Sequence, residues 1–174
     1  VKMKYGLIGL GNLGTNIAKN LISSGFKLVV HDKNRNNFKS IESLKAIWSD
    51  TPSELAARVD CVITCLPSPK ISNEVMLGVN GALASMKQGA TWIETSTTNV
   101  NELKLISDEA AKSGISTLEA PVTGGIHRAA AGKITILVGG EKSVLEKHRA
   151  ALESFGEPIF HLGDVGTASI LKVI

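Results

Sequence analysis

The chain has 174 residues, 43% of them hydrophobic and 20% charged, with a formal net charge of +3. A chain of that size buries a real core as one domain, and its charge content is too ordinary for intrinsic disorder. No apolar run reaches the ~18 residues that span a membrane. Aromatics are only 4% and the basic residues are scattered, which argues against a nucleic-acid surface that stacks bases or tracks phosphates. Val1 to Ile8 carries Lys2 and Lys4 inside its only apolar stretch and has no small-residue cleavage site, so it does not read as a secretory signal.

Strand-like and helix-like runs alternate along the whole chain. Tyr5-Gly6-Leu7-Ile8 is a short apolar run that ends in glycines. From Asn12 to Ser24, Leu13, Ile17 and Leu21 recur at helical spacing, and Gly25 stops the helix. Phe26 to His31 is a second strand. Thr51-Pro52-Ser53-Glu54 is a capping box with proline at the first helical position, opening a short helix to Val59. Cys61 to Leu66 is a continuous apolar strand halted by Pro67 and Pro69. A helix follows from Lys70 to Leu77 and a strand from Ala90 to Glu94. Asn99 caps a helix that runs to Ser113 and stops at Gly114. Ile115–Glu119 and Lys133–Val138 are strands, Glu141–Ser154 is a helix, Pro158–His161 is a strand, and a last helix starts at Ala168. Strands apolar on both faces and separated by helices predict an α/β fold. The class is the Rossmann type, a doubly wound and mostly parallel sheet with helices on both faces.

Cys61 and Cys65 stand four apart in one apolar run. In a strand that separates them by about 13 Å, beyond the ~7 Å reach of a disulfide. No histidine or further cysteine stands beside them, so no metal site is expected. Two reduced core thiols point to a reducing, cytoplasmic setting.

Gly9-Leu10-Gly11-Asn12-Leu13-Gly14 is a GxGxxG loop between the first strand and the first helix, the context that makes this pattern meaningful. Gly9 permits the tight turn, Gly11 lets the backbone approach a pyrophosphate, and Gly14 lets the helix pack close to the sheet. The free N–H groups and positive dipole of the helix start then face the phosphates. Asp32, about 20 residues further on, stands where a carboxylate would accept hydrogen bonds from the adenosine ribose. Such a carboxylate would repel a 2′-phosphate, so the expected cofactor is NAD. Lys33 and Arg35 cut the other way and leave NADP open.

Glu119-Ala120-Pro121-Val122-Thr123-Gly124-Gly125 ends a strand and enters a second glycine turn. The Thr123 hydroxyl beside exposed N–H groups is a seat for a carboxylate or carbonyl, or else part of a plain structural turn.

These blocks, in this order, resemble the β-hydroxyacid dehydrogenase family. That family includes 3-hydroxyisobutyrate dehydrogenase, tartronate semialdehyde reductase and, more distantly, 6-phosphogluconate dehydrogenase. The resemblance rests on Gly9 to Ala18, Cys65-Leu66-Pro67, Asn80-Gly81, Glu94-Thr95-Ser96-Thr97 and Pro121 to Gly125. Gly132, Val138-Gly139-Gly140, Gly163 to Ala168 and Lys172 complete it. It implies that Leu66, Pro67 and Thr97 line the cofactor, with Ser96 near the nicotinamide and substrate. It also implies that Thr123, Gly124 and Gly125 hold the substrate carboxylate, and that Lys172 is the catalytic lysine. Such a lysine would take the hydroxyl proton during oxidation and return it in reduction. The implied reaction is hydride transfer between NAD(P) and a short 3-hydroxy acid or its semialdehyde.

The sequence departs from the family pattern in several places. Glu94 stands where the family usually has Asp, Thr123 where it has Ser, Ala168 where it often has Gly, and Arg128 where it usually has Gly. Arg128, with His127 beside it, suits an extra anionic group on the substrate. The family's asparagine one turn after the lysine lies beyond Ile174. The expected organisation is therefore a cofactor domain over residues 1–163 and the start of an interdomain helix at 164–174. The family's all-helical domain, which closes the cleft and makes the homo-oligomer interface, is not in the chain. By itself this chain is expected to bind dinucleotide without turnover. An imine reductase, which lacks the lysine, and a non-catalytic dinucleotide-binding module are the alternatives.

Overall fold

A computed structural model describes residues 3–96 and 99–173. Its nine-stranded sheet has the order β3-β2-β1-β4-β5-β6-β8-β7, with β9 paired to β8. The strands are β1 (Lys4–Ile8), β2 (Lys27–His31), β3 (Ile47–Trp48), β4 (Cys61–Thr64), β5 (Thr91–Glu94), β6 (Ser116–Glu119), β7 (Val122–Thr123), β8 (Ile134–Gly139) and β9 (Gly156–Gly163). The helices are α1 (Asn12–Ser23), α2 (Pro52–Ala57), α3 (Pro69–Leu77), α4 (Val100–Lys112), α5 (Gly125–Ala130), α6 (Lys142–Phe155) and α7 (Thr167–Val173).

The first six strands are parallel, and β1 sits between β2 and β4. Chain direction across the sheet reverses there, and ligands of open α/β sheets bind in that crevice, outside the carboxyl ends of the strands. The expected fold class holds, with one refinement. β8 runs antiparallel to β6 and β7, so Thr123 pairs with Thr135 and Glu119 with Gly139. The second glycine turn therefore stands at the tip of a short antiparallel extension of the sheet.

Leu7, Ile63, Ile93 and Leu118 occupy one register row and pack with Ile17, Leu21, Leu145 and Leu152 on one face. Ile8, Val62 and Trp92 face the other way, against Leu55, Met76, Leu103 and Ile106. Burying both faces is what made each central strand read as an unbroken apolar run.

Local chemistry sets the helix ends. The Thr51 hydroxyl accepts from the Glu54 N–H at 3.1 Å, and the Glu54 carboxylate reaches back to the Asp50 N–H at 3.2 Å. Asn99 Oδ1 accepts from the N–H groups of Asn101 and Glu102. β4 ends at Thr64 rather than Leu66, because the chain leaves the sheet once Cys65 N–H has bonded to Ile8 O at 3.0 Å. Ile47–Trp48 forms an edge strand too short for a periodicity to show.

A polar bridge crosses the first core. The Tyr5 hydroxyl meets His148 Nδ1 at 2.8 Å, and His148 Nε2 meets the Thr91 hydroxyl at 2.9 Å. His148 is fully buried, and that burial pushes its pKa from 6.5 down to about 4. The imidazole therefore ties α6 to β1 and β5 in its neutral form.

Candidate active site

The three loop glycines do three different jobs. A Cβ on Gly9, where φ is +110°, would lie 2.1 Å from the Cys65 carbonyl oxygen, so the turn fits only against β4's exit. A Cβ on Gly14 would lie 1.9 Å from Gly9 O, so helix and loop touch there. Gly11 has nothing within 4 Å of the same position, which leaves the loop's outer side open to an approaching ligand. Leu10 is buried beneath the loop, Leu13 is half-buried, and Asn12 is exposed at the start of α1. These residues fit a dinucleotide pyrophosphate on the open side of the loop.

Asp32 is bonded on both carboxylate oxygens. One carboxylate oxygen accepts the Leu10 N–H at 2.7 Å, and the other accepts the Asn34 N–H at 2.7 Å and Asn37 Nδ2 at 3.2 Å. The carboxylate thus ties the end of β2 to the glycine loop. Lys33 is exposed beside it. Arg35 places its guanidinium 5.0 Å from the centre of the Trp48 ring and 3.8 Å from Asp50.

The ends of β4 and β5 are tied to each other. The buried Ser96 hydroxyl accepts the Leu66 N–H at 2.6 Å, which joins the exit of β5 to the Leu66–Pro67 turn. Glu94 holds that junction from beneath. Its Oε1 accepts the Ser96 N–H and the Thr64 hydroxyl, each at 3.0 Å, and Thr64 in turn accepts from Trp92 Nε1 at 2.9 Å. Burial raises the Glu94 pKa. Thr97, expected against the cofactor, lies outside the described residues.

Glu119, paired with Glu94 across β5 and β6, is fully buried too. Its Oε1 accepts the N–H groups of Gly166 and Ala168, both at 2.7 Å, and its Oε2 accepts the Ser169 hydroxyl at 2.5 Å. One turn further along α7, half-buried Lys172 donates from Nζ to the Val122 carbonyl. Burial lowers the Lys172 pKa from its usual value. Thr123 and the positive-φ pair Gly124–Gly125 follow directly and are exposed. The structure thus brings Lys172 to the strand that carries Thr123.

Arg128 lies on α5 with Nη1 donating to the Thr135 hydroxyl at 3.2 Å and Nη2 to the Glu157 carbonyl at 3.2 Å. Thr135 is the register partner of Thr123, so the guanidinium sits one cross-strand step from the second glycine turn. The clasp made by Glu119 was not visible in the sequence, because its partners stand 47 to 50 positions away. Among the described residues, no group of three or more His, Cys, Asp or Glu side chains could hold a metal ion.

A doubly wound sheet, a glycine loop at its switch point and a backbone-lined open face together define a dinucleotide-binding domain. Residues 4–163 match the family described as the NAD binding domain of 6-phosphogluconate dehydrogenase, and the chain belongs to that family. It is 34% identical over 172 residues to mouse (Mus musculus) mitochondrial 3-hydroxyisobutyrate dehydrogenase, covering 99% of this chain and 51% of that protein. Among solved structures, it superposes on Mycobacterium tuberculosis 3-hydroxyisobutyrate dehydrogenase, described with L-serine, with a TM-score of 0.93 and 28% identity. That match covers 99% of this chain and 58% of the other. An imine reductase variant from Myxococcus stipitatus in complex with NAD+ shares the fold, with a TM-score of 0.91 at 22% identity over 99% of this chain and 59% of its own. The chain spans about half the length of the curated relatives it matches. Among the described residues no helix is long and apolar enough to cross a membrane.

Proposed function

We propose that this chain is the cofactor-binding half of an NAD(P)-dependent hydroxyacid dehydrogenase that interconverts a short 3-hydroxy acid and its semialdehyde. The observation that carries this reading is the continuity of the site. The glycine loop follows β1, the Leu66–Ser96 junction joins the exits of β4 and β5, and Val122, which receives Lys172, lies three residues beyond the end of β6. Residues 1–163 form the cofactor domain, and 164–174 open the helix toward a second, helical domain that makes a homo-oligomer interface. A bound nicotinamide supplies the hydride acceptor or donor.

Every other role falls to the chain's own residues. Gly9, Leu10, Gly11, Asn12, Leu13 and Gly14 seat the pyrophosphate. Asp32 and Lys33 border the adenosine ribose, with Leu66, Pro67 and Thr97 along the rest of the cofactor. Ser96, Thr123, Gly124 and Gly125 orient the substrate, and Arg128 reads a further anionic group on it. Lys172, its pKa lowered by burial, takes the hydroxyl proton at Nζ during oxidation and returns it during reduction. Protonated Nζ also stabilises the alkoxide that develops on reduction. With Arg35 held over Trp48, the rim of β2 favours NAD over NADP. Lys172 itself favours this chemistry over imine reduction. The two free thiols suit the reducing cytoplasm.

The test is a fluorescence titration of this 174-residue chain with NADH and NADPH. NADH binds the more tightly, Lys172→Met leaves NADH binding intact, and in the full-length enzyme the same substitution abolishes oxidation of short 3-hydroxy acids. Failure of both dinucleotides to bind would overturn the reading.

A further inference from the structure

We propose that Glu119 is the positioning residue for Lys172, clamping α7 to the strand that carries the substrate turn; this rests on the assignment of Lys172 above. A buried carboxylate is costly unless its oxygens are satisfied by donors. Here all three partners donate, and all three lie on the entry to one helix. Helix starts are ordinarily capped by a serine, threonine or asparagine of their own chain segment, with no charge buried. A glutamate reaching from β6 does something a local cap does not, because it fixes the helix to a particular strand.

The geometry shows what is gained. Glu119 and Val122 lie three residues apart, and so do Ser169 and Lys172. The first pair receives the second at two points, carboxylate to Ser169 and carbonyl to Nζ. One helical turn of α7 is thus set against the stretch that runs into Thr123–Gly125. Over the described part of α7, Ile170 and Leu171 are exposed, and its inner face is held by these tethers and by buried Ala168. A separate observation agrees. A Cβ on Gly139, opposite Glu119 across β6 and β8, would lie 2.2 Å from Glu119 Oε1, so the carboxylate occupies space that any side chain at 139 would fill.

The experiment uses this chain without ligand. Hydrogen exchange reads the Gly166 and Ala168 amides, and side-chain NMR reads the Lys172 signal. In Glu119→Ala both amides exchange about 100-fold faster, and the Lys172 signal moves to that of an exposed lysine. In Glu119→Gln, whose carbonyl oxygen still accepts both N–H groups, most of the protection and of the Lys172 signal returns. NADH affinity stays within about threefold, and protection of β1, β4 and β5 is unchanged. An unmoved Lys172 signal in Glu119→Ala overturns the proposal, as does loss of protection across the whole sheet. Should Glu119→Ala not fold, Ser169→Ala removes one of the three donors. It gives about a tenfold effect on the same two readouts, and no effect would overturn the proposal equally. NADH binding by the wild-type chain tests the cofactor reading separately, since the Lys172 signal is read without ligand.

Discussion

Acidification should loosen this fold through a single imidazole. His148 is neutral between Tyr5 and Thr91, with burial holding its pKa at about 4 against 6.5 for a free side chain. The folded state therefore resists a proton that the unfolded chain accepts readily. Above pH 6.5 neither state is protonated there and the full stability is present. As pH falls below 6.5 the unfolded state alone gains the proton, and stability drops until the folded state follows near pH 4. At about 1.4 kcal/mol per pH unit, the loss is about 2 kcal/mol by pH 5 and about 3 kcal/mol by pH 4. Urea unfolding followed by the fluorescence of Trp48 and Trp92 measures it, with His148→Gln as the control. The variant starts about 1–2 kcal/mol less stable because its hydrogen bonds are poorer; the gap closes near pH 5 and reverses below it. The difference between the two proteins cancels other titrating groups. Glu94 is one of these, and its pKa, raised by burial, acts with the opposite sign, since its contribution is lost as pH rises. A gap that stays constant from pH 7.5 to 4.5 would refute the reasoning.

Two further predictions concern the loop. Gly14→Ala forces a Cβ to within 1.9 Å of Gly9 O, and the resulting displacement weakens NADH binding by about 2 kcal/mol, roughly 30-fold in Kd by fluorescence titration. Asp32→Asn lowers the stability of the ligand-free chain by about 1–2 kcal/mol in urea, because its carboxylate holds the Leu10 and Asn34 N–H groups; an unchanged midpoint would mean that the carboxylate serves only the ligand.

Most of this architecture was legible because local rules governed it. Gly25, the Thr51–Glu54 box and Asn99 mark helix boundaries through contacts within a few residues. The glycine loop could be read because each glycine answers one steric demand of a strand–turn–helix unit. What escaped was set by distant pairing. The antiparallel turn of β8 follows from its meeting β6 and β7, and nothing in Lys133–Val138 marks that direction. Glu119 looked like the first letter of a glycine-turn motif until the fold brought Gly166, Ala168 and Ser169 to it. His148 sits in a helix whose sequence reads as amphipathic, and only the packing gives it Tyr5 and Thr91. Asp32 was expected at the ribose, and its bonds to the glycine loop could not be read from spacing.

Those Asp32 bonds bear on how a ligand is received. Because the carboxylate holds the Leu10 amide, a bond internal to the chain sets the shape of the loop. The entropy of ordering it is lost once, when the chain folds, and not again at each encounter. A dinucleotide then meets a rigid cradle, so it can arrive and leave repeatedly without the loop having to refold between visits.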